Sequence, residues 1–263
     1  MPDKDVLISR KNHVATITIN RPRVMNALTS EMLSSLLTVF EGFGADPDIR
    51  VIVLEGAGGN FSSGADMSLL NASAEPLESL RHMKDPVGKL ILAMKRMPQP
   101  VICKIRGNAV GYAVGMALAG DFAIAAENAK FCEAFVNLGI TLDGGASYFL
   151  PRLVGMAKAK EIALLGDVLS GKEAALLGLI HKAVPERELD AETALLSERL
   201  LSKSGKAMSL IKESLEKNAT ADLEMALERE AAYQAILLAG DEIKAAVKLF
   251  QDSRKKRAES AAR

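Results

Sequence analysis

The residues of this chain with the means to do chemistry are few, and the most isolated is Asp143. It stands in "AFVNLGITLDGGASYFLPRLVG" (134–155), between an apolar run and two glycines. A carboxylate in apolar surroundings resists ionisation and becomes an acid or base near neutral pH. Aspartate before Gly-Gly is also ordinary turn or N-cap chemistry, and taken alone that structural role is the stronger one. Two glycine turns are the other candidates. "SSGADM" (62–67) follows a strand-like segment, and "GNAVGYAVG" (107–115) follows a strand and opens a helix. Free backbone N–H groups and a partial positive charge gather at a helix start. Two such turns facing each other would hold an oxyanion, although glycines also serve tight turns and close packing. Neither turn fits a phosphate cradle, since GxxxxGK[ST] and GxGxxG are both missing.

The remaining polar residues carry less. Tyr112 lies inside the second turn, where its phenol either lines a site or packs. Glu133 alternates with Cys132 and Ala134 in a strand-like stretch, which predicts a solvated face. Asp121 reads as a turn or ion-pair residue, and His82 as solvent-exposed. No Ser/His/Asp order and no GxSxG motif is present. Cys103 and Cys132 form no CxxC and read as buried reduced thiols of a cytosolic protein. His13, His82 and His181 match no metal-ligand spacing, so no metal is expected. The 33 basic residues cancel the 33 acidic ones, so no overall field favours nucleic acid or an anionic membrane. With no signal-peptide core, no span-length apolar run and no SKL-type ending, the expected location is cytoplasmic.

The elements that must position these residues alternate between strand and helix. "DVLISR" and "HVATITI" read as a hairpin about "KN". "TSEMLSSLLTVFEGF" reads as a helix with Met32, Leu36, Leu37 and Phe40 on one face, capped by Thr29 or Ser30. Strand ends fall near residues 55, 106 and 125, and the strand–turn–helix repetition argues for an α/β layer fold. Residues 71–100 drift in composition, hold Pro76 and Pro86, and form the segment expected to be most mobile, with a helix near "VGKLILAMKRM". Beyond about residue 187 the pattern is helical only. There the amphipathic stripes must cover their own core or a neighbour's, and the second option implies an oligomer. In the last helix Asp241 can cap, with Ile243, Val247 and Phe250 on one face. With 263 residues, 49% of them hydrophobic, a large core is available to one domain with a helical extension.

Taken together, "ITINRPRVMNALTSEM", "IRVIVLEGAGGNFSSGADM", "QPVICKIRGNAVGYAVGMALAGDFAIAAENAKF", "LGITLDGGASYFLPRLVG" and "AKEIALLGDVLSGKEAALLGLIHKAVP" resemble the crotonase, or enoyl-CoA hydratase/isomerase, superfamily over nearly the whole chain. The resemblance implies a crotonase-like spiral of ββα units over residues 1–200. A C-terminal helical region over 201–263 would serve trimerisation and cover the CoA pocket. It implies homotrimers, or hexamers built as dimers of trimers. It implies an acyl-CoA thioester as substrate, with CoA belonging to the substrate and no separate cofactor. The oxyanion hole carried over is the backbone N–H of Ala65 and of Tyr112. Tyr112 departs from the usual glycine, which puts a phenol near the site or demands space for it. The substrate and CoA contacts implied are Val24, Met25, Ala27, Ser63, Gly64, Asp66, Met67, Leu70, Gly111, Phe135 and, from a neighbouring subunit, Phe250.

The same resemblance discriminates within the family. Its hydratases use two glutamates to position and activate water, and their positions here are Gly115 and Phe135. Its isomerases place one carboxylate at the position of Asp143, with Leu142 here where proline is usual. Its dehalogenases add a histidine and a tryptophan, at positions held here by Leu92 and Phe135, and the chain has no tryptophan. The expectation is therefore an enoyl-CoA isomerase in which Asp143 shuttles one proton, its pKa raised by Phe135, Leu138, Ile140 and Leu142. The alternatives are a hydratase or lyase acting on an enoyl-CoA or cyclic dienoyl-CoA, with Asp143 and one more polar group such as Tyr112 handling water, and a non-catalytic CoA-binding subunit.

Overall fold

The computed structural model describes residues 5–71, 75–245, 247, 248 and 250, the side chains of 70 and 71 excepted. The chain divides into two compact units, Met1–Ser202 and Lys203–Arg263.

In the first unit, β1 (Val6–Lys11) and β2 (Val14–Ile19) form an antiparallel hairpin. Its turn is Asn12-His13, both at positive φ, the mirror-image geometry that matches the twist of paired strands. The turn thus sits one residue later than the expected "KN". Then come α1 (Ser30–Gly44), β3 (Val51–Gly56), the short α2 (Met67–Asn71), α3 (Pro76–His82) and α4 (Lys89–Arg96). Next are β4 (Val101–Ile105), β5 (Asn108–Val110), α5 (Tyr112–Ala119), β6 (Phe122–Ala126), β7 (Lys130–Cys132) and α6 (Ala146–Leu165). The unit closes with β8 (Val168–Ser170), α7 (Gly171–Leu176), β9 (Lys182–Val184) and α8 (Leu189–Leu201). The wide helical turn 83–88 joins α3 to α4.

Six strands form one sheet in the order β1-β2-β3-β4-β6-β9, parallel from β2 onward. A smaller sheet, β5-β7-β8, forms a second layer. The path explains the architecture. A strand in the large sheet is followed by a short strand in the small one and then by a helix: β4–β5–α5 and β6–β7–α6. The segment after β3 repeats the pattern, because Ser62 bridges Ala109 of β5 before α2 begins. The fold is mixed α/β, a spiral of ββα units.

The central strands are buried on both faces, as parallel strands between layers must be. Thr29 caps α1 by accepting the Met32 N–H, and the helix buries Met32, Leu33, Leu36, Phe40 and Phe43. Every residue of α5 is buried. Its alanines and glycine leave room for backbone to approach closely, and that closeness shapes the site.

In the second unit, α9 (Gly205–Asn218) and α10 (Leu223–Leu238) are capped by Ser204 and Asp222, and neither contains a fully buried residue. Ile211, Leu215, Leu223 and Leu227 are exposed. No helix among the described residues is long and apolar enough to cross a membrane.

Candidate active site

The two glycine turns come together through backbone hydrogen bonds. Ser62 N–H donates to Asn108 O at 2.9 Å, and Val110 N–H donates to Ser62 O at 3.1 Å. From this bridge the two segments run in parallel, so Ala65 and Tyr112 each lie three residues beyond it. On its other side the first turn pairs with the segment before α1. Leu28 N–H donates to Gly64 O at 2.8 Å, and Asp66 N–H donates to Leu28 O at 2.9 Å. In such a bridge Leu28 uses its own groups while Ala65 points its N–H away, towards the second turn. A Cβ on Gly64 would meet Val110 O at 2.5 Å and Tyr112 N at 3.7 Å. Glycine at φ +87 is what lets the turns approach. Among the described residues neither the Ala65 nor the Tyr112 N–H donates a hydrogen bond. The Tyr112 donor opens α5, where the helix dipole adds partial positive charge.

Two residues unremarked in the sequence hold this frame. Asn26, fully buried at φ +59, donates to Ala57 O at 2.8 Å and Asn60 O at 2.7 Å, and its Oδ1 accepts the Arg21 N–H. Arg21 donates to Ala27 O at 2.7 Å and to Asp66 at 2.8 Å. Buried Ser62 donates to Asn26 O and accepts from Gly64 N–H. Asp66 also accepts the Ser68 N–H at the start of α2. The Arg21 hydrogen bond first, then those from Ser68, pull its carboxyl down to about 2. Asp66 is thus a fixed anion and helix cap.

The phenol of Tyr112 is committed to the core. The side chain is buried, and its hydroxyl donates to Val87 O at 2.9 Å. Burial first, then the charge of Asp143, push its pKa upward. The expected departure from glycine is absorbed by the core, and the backbone donor is untouched. The tyrosine ring fixes the next turn instead: a Cβ on Gly144 would lie 2.9 Å from it.

The turn carrying Asp143 is pressed against α5. A Cβ at Gly115 would meet Gly144 O at 2.4 Å and Gly144 C at 2.9 Å. No side chain fits at this hydratase-glutamate position while the 143–145 turn stands there. The other position, Phe135, is buried, its ring 3.5 Å from where a Gly111 Cβ would be. Asp143 is half-buried, its Oδ1 without a hydrogen-bond partner among the described residues. Desolvation raises its pKa to about 6. Phe135 and Leu142 are withdrawn from solvent, but Leu138 and Ile140 are exposed, so the expected apolar setting comes only in part from those four.

Glu133 contradicts its predicted place. It is 1% exposed rather than solvated, and neither carboxyl oxygen finds a hydrogen-bond partner among the described residues. Strand β7 ends at Cys132, and the buried alternation runs Phe131, Glu133, Phe135. Burial first, then the charge of Asp143, raise its pKa to about 8. The aromatic residues two positions either side were the available signal. Two smaller corrections concern Cys132 and His82. Cys132 is half-buried rather than buried. His82 is half-buried with Nε2 enclosed, rather than solvent-exposed.

The other implied contacts are distributed as follows. Ser63 donates its N–H to Met25 O and its hydroxyl to Val24 O. Val24, Met25 and Met67 are exposed apolar residues around this turn, and Ala27 is buried. Gly111, at φ +55, donates to Cys132 O at 2.8 Å. The Leu70 side chain lies outside the described residues. Phe250, in the second unit, is exposed. Among the described residues no group of three or more His, Cys, Asp or Glu is arranged to hold a metal ion.

A fold of this kind, with paired backbone donors beside a desolvated carboxyl, can be compared with known proteins. The family model for enoyl-CoA hydratase/isomerase matches residues 9–260. The chain belongs to the enoyl-CoA hydratase/isomerase family. It is 33% identical to the crotonyl-CoA hydratase of Syntrophomonas wolfei, over 97% of this chain and 98% of that protein. It is 34% identical to the 1,2-epoxyphenylacetyl-CoA isomerase of Escherichia coli, over 85% of this chain and 86% of that one. The crystal structure of an enoyl-CoA hydratase from Bacillus anthracis superposes with a TM-score of 0.89 at 28% identity, covering 95% and 97% of the two chains. Relatives of both names stand at similar distance, so the finer activity has to be argued from the site.

Proposed function

We propose that this family member is an enoyl-CoA isomerase. The observation that carries the reading is the contact between Gly115 and Gly144. The turn that presents Asp143 occupies the space a hydratase glutamate would need. Asp143 has a pKa of about 6, so it is ionised at neutral pH yet still basic enough to take a proton. The thioester oxygen sits between the Ala65 and Tyr112 N–H groups. Asp143 removes a proton from one carbon of the acyl chain, and the C–H electron pair moves through the double bond to that oxygen. The two donors stabilise the enolate, each worth on the order of 3–4 kcal/mol of barrier. The enolate is then protonated two carbons away, which one carboxyl on one face suffices to do. Val24, Met25, Ala27, Ser63, Gly64, Asp66, Met67, Leu70, Gly111 and Phe135 border the CoA and acyl group in this reading. The apolar surfaces of α9 and α10 support a homotrimer or dimer of trimers, with Phe250 reaching a neighbour's CoA. The test is Asp143→Asn with a 3-enoyl-CoA: near-normal migration of the double bond sinks the assignment of the base.

A second reading, hydration, is favoured by one observation, the buried Glu133 within the field of Asp143. Two carboxyls can position and activate a water where one cannot. Product mass separates the readings, because isomerisation leaves it unchanged and hydration adds one water.

A further inference from the structure

We propose that Glu133 is a second acid–base residue of this site, giving the enolate the proton that completes the double-bond shift. The inference rests on the isomerase reading and asks where the returned proton comes from.

The placement is geometric. Glu133 directly follows Cys132, whose carbonyl accepts the Gly111 N–H at 2.8 Å, one residue before the Tyr112 donor. Asp143 directly precedes Gly144, which lies against the Tyr112 ring and under Gly115. Two different segments therefore carry Glu133 and Asp143 beside the start of α5, and the buried Glu133 carboxyl is near enough to Asp143 to feel its charge. The other titratable groups there are committed elsewhere. The Tyr112 hydroxyl is held by Val87 O, and the Cys132 thiol donates to Gly166 O at 3.3 Å, on the side of Asp167. The charge acting on Glu133 is that of Asp143. A fully buried carboxyl with neither oxygen partnered is costly as a structural element, and it persists where a ligand or a reaction uses it.

The protonation states follow. Asp143 ionises first, so at neutral pH the pair holds one proton, and it resides on Glu133. The step balances. Asp143 carboxylate forms an O–H bond as the substrate C–H breaks, and that electron pair becomes the enolate. Glu133 O–H then breaks as a new C–H forms two carbons away, its electron pair staying on the carboxylate oxygen. Transfer of one proton from Asp143 to Glu133, directly or through solvent, resets the site.

The experiment is a pH–rate profile of 3-enoyl-CoA isomerisation for the native chain, Glu133→Gln and Glu133→Asp. The native rate should rise as Asp143 loses its proton near pH 6 and fall as Glu133 loses its own near pH 8. Glu133→Gln should be at least about tenfold slower, without the alkaline fall, and Glu133→Asp should recover activity with that fall shifted. An alkaline limb that persists unchanged in Glu133→Gln overturns the proposal whatever the rate. If the glutamine variant does not fold, an unmoved limb in Glu133→Asp overturns it. Asp143→Asn tests the underlying reading separately: dead Asp143→Asn with an unaltered Glu133→Gln profile removes only Glu133 from the mechanism.

Discussion

The two halves of the proposed site are built on opposite terms. The donor half is backbone. Ala65 and Tyr112 contribute N–H groups, and the side chains around them serve a frame in which Asn26, Ser62, Arg21 and Asp66 are hydrogen-bonded to one another or to nearby backbone. The acid half is side chain. Glu133 and the Oδ1 of Asp143 are withdrawn from water and lack partners among the described residues. Satisfied groups hold geometry, whereas unsatisfied ones hold chemical potential, here pKa values displaced toward neutrality. A change in the donor half should therefore cost stability and activity together. In the acid half it should cost activity while leaving the fold intact or improved.

Asp143→Asn should give the largest functional loss, on the order of 10²–10⁴ in kcat, with a melting temperature at or above the native value. A parallel collapse in thermal stability would break the contrast. Gly64→Ala meets Val110 O at 2.5 Å and forces a side chain onto φ +87. It should cost about 2–6 kcal/mol in denaturant unfolding and remove activity as well. Tyr112→Phe removes the buried hydrogen bond to the Val87 carbonyl, at about 0.5–1.5 kcal/mol. Its kcat should stay within a few-fold, since the donor is backbone, and a large drop would show the phenol acting directly.

The pH dependence of stability sharpens the same point. Glu133 has a folded pKa near 8, above the ordinary 4.5. Its neutral form is favoured by folding, so this contribution is complete below pH 4.5 and is lost as pH rises through 8. Melting scans from pH 5 to 9 should fall for the native chain and fall less for Glu133→Gln. Asp66 works with the opposite sign, its carboxyl held near 2 by Arg21 and Ser68. Asp66→Asn should be the mildest of these changes, about 0–1 kcal/mol at neutral pH and vanishing as pH drops below 2.

The two glycine turns can be read from the chain, because glycine turns after strands carry a local signature and Thr29, Ser62–Met67 and Gly111–Tyr112 lie where their motifs put them. Of the two desolvated carboxyls, only Asp143 stands out in the chain. Glu133 lies on the face opposite Cys132 and Ala134, as the alternation predicts, but that face carries Phe131 and Phe135 and is the buried one. Period two tells which residues share a face, and only the neighbours on that face tell whether it is wet. The Tyr112–Val87 hydrogen bond spans 25 residues and belongs to packing that no local pattern encodes. Asn26 is hidden for the same reason, as both carbonyls its amide donates to lie more than 30 residues on.

The contact between Gly115 and Gly144 also bears on how such sites diverge. A glutamate introduced at 115 has nowhere to go until the 143–145 turn retreats, and in the isomerase reading proposed above that turn carries the base. Acquiring one chemistry and surrendering the other are thus mechanically the same event. Between the two activities there is no single-substitution path through a competent intermediate, and an engineer seeking water addition from this scaffold would have to transplant a loop before placing a residue.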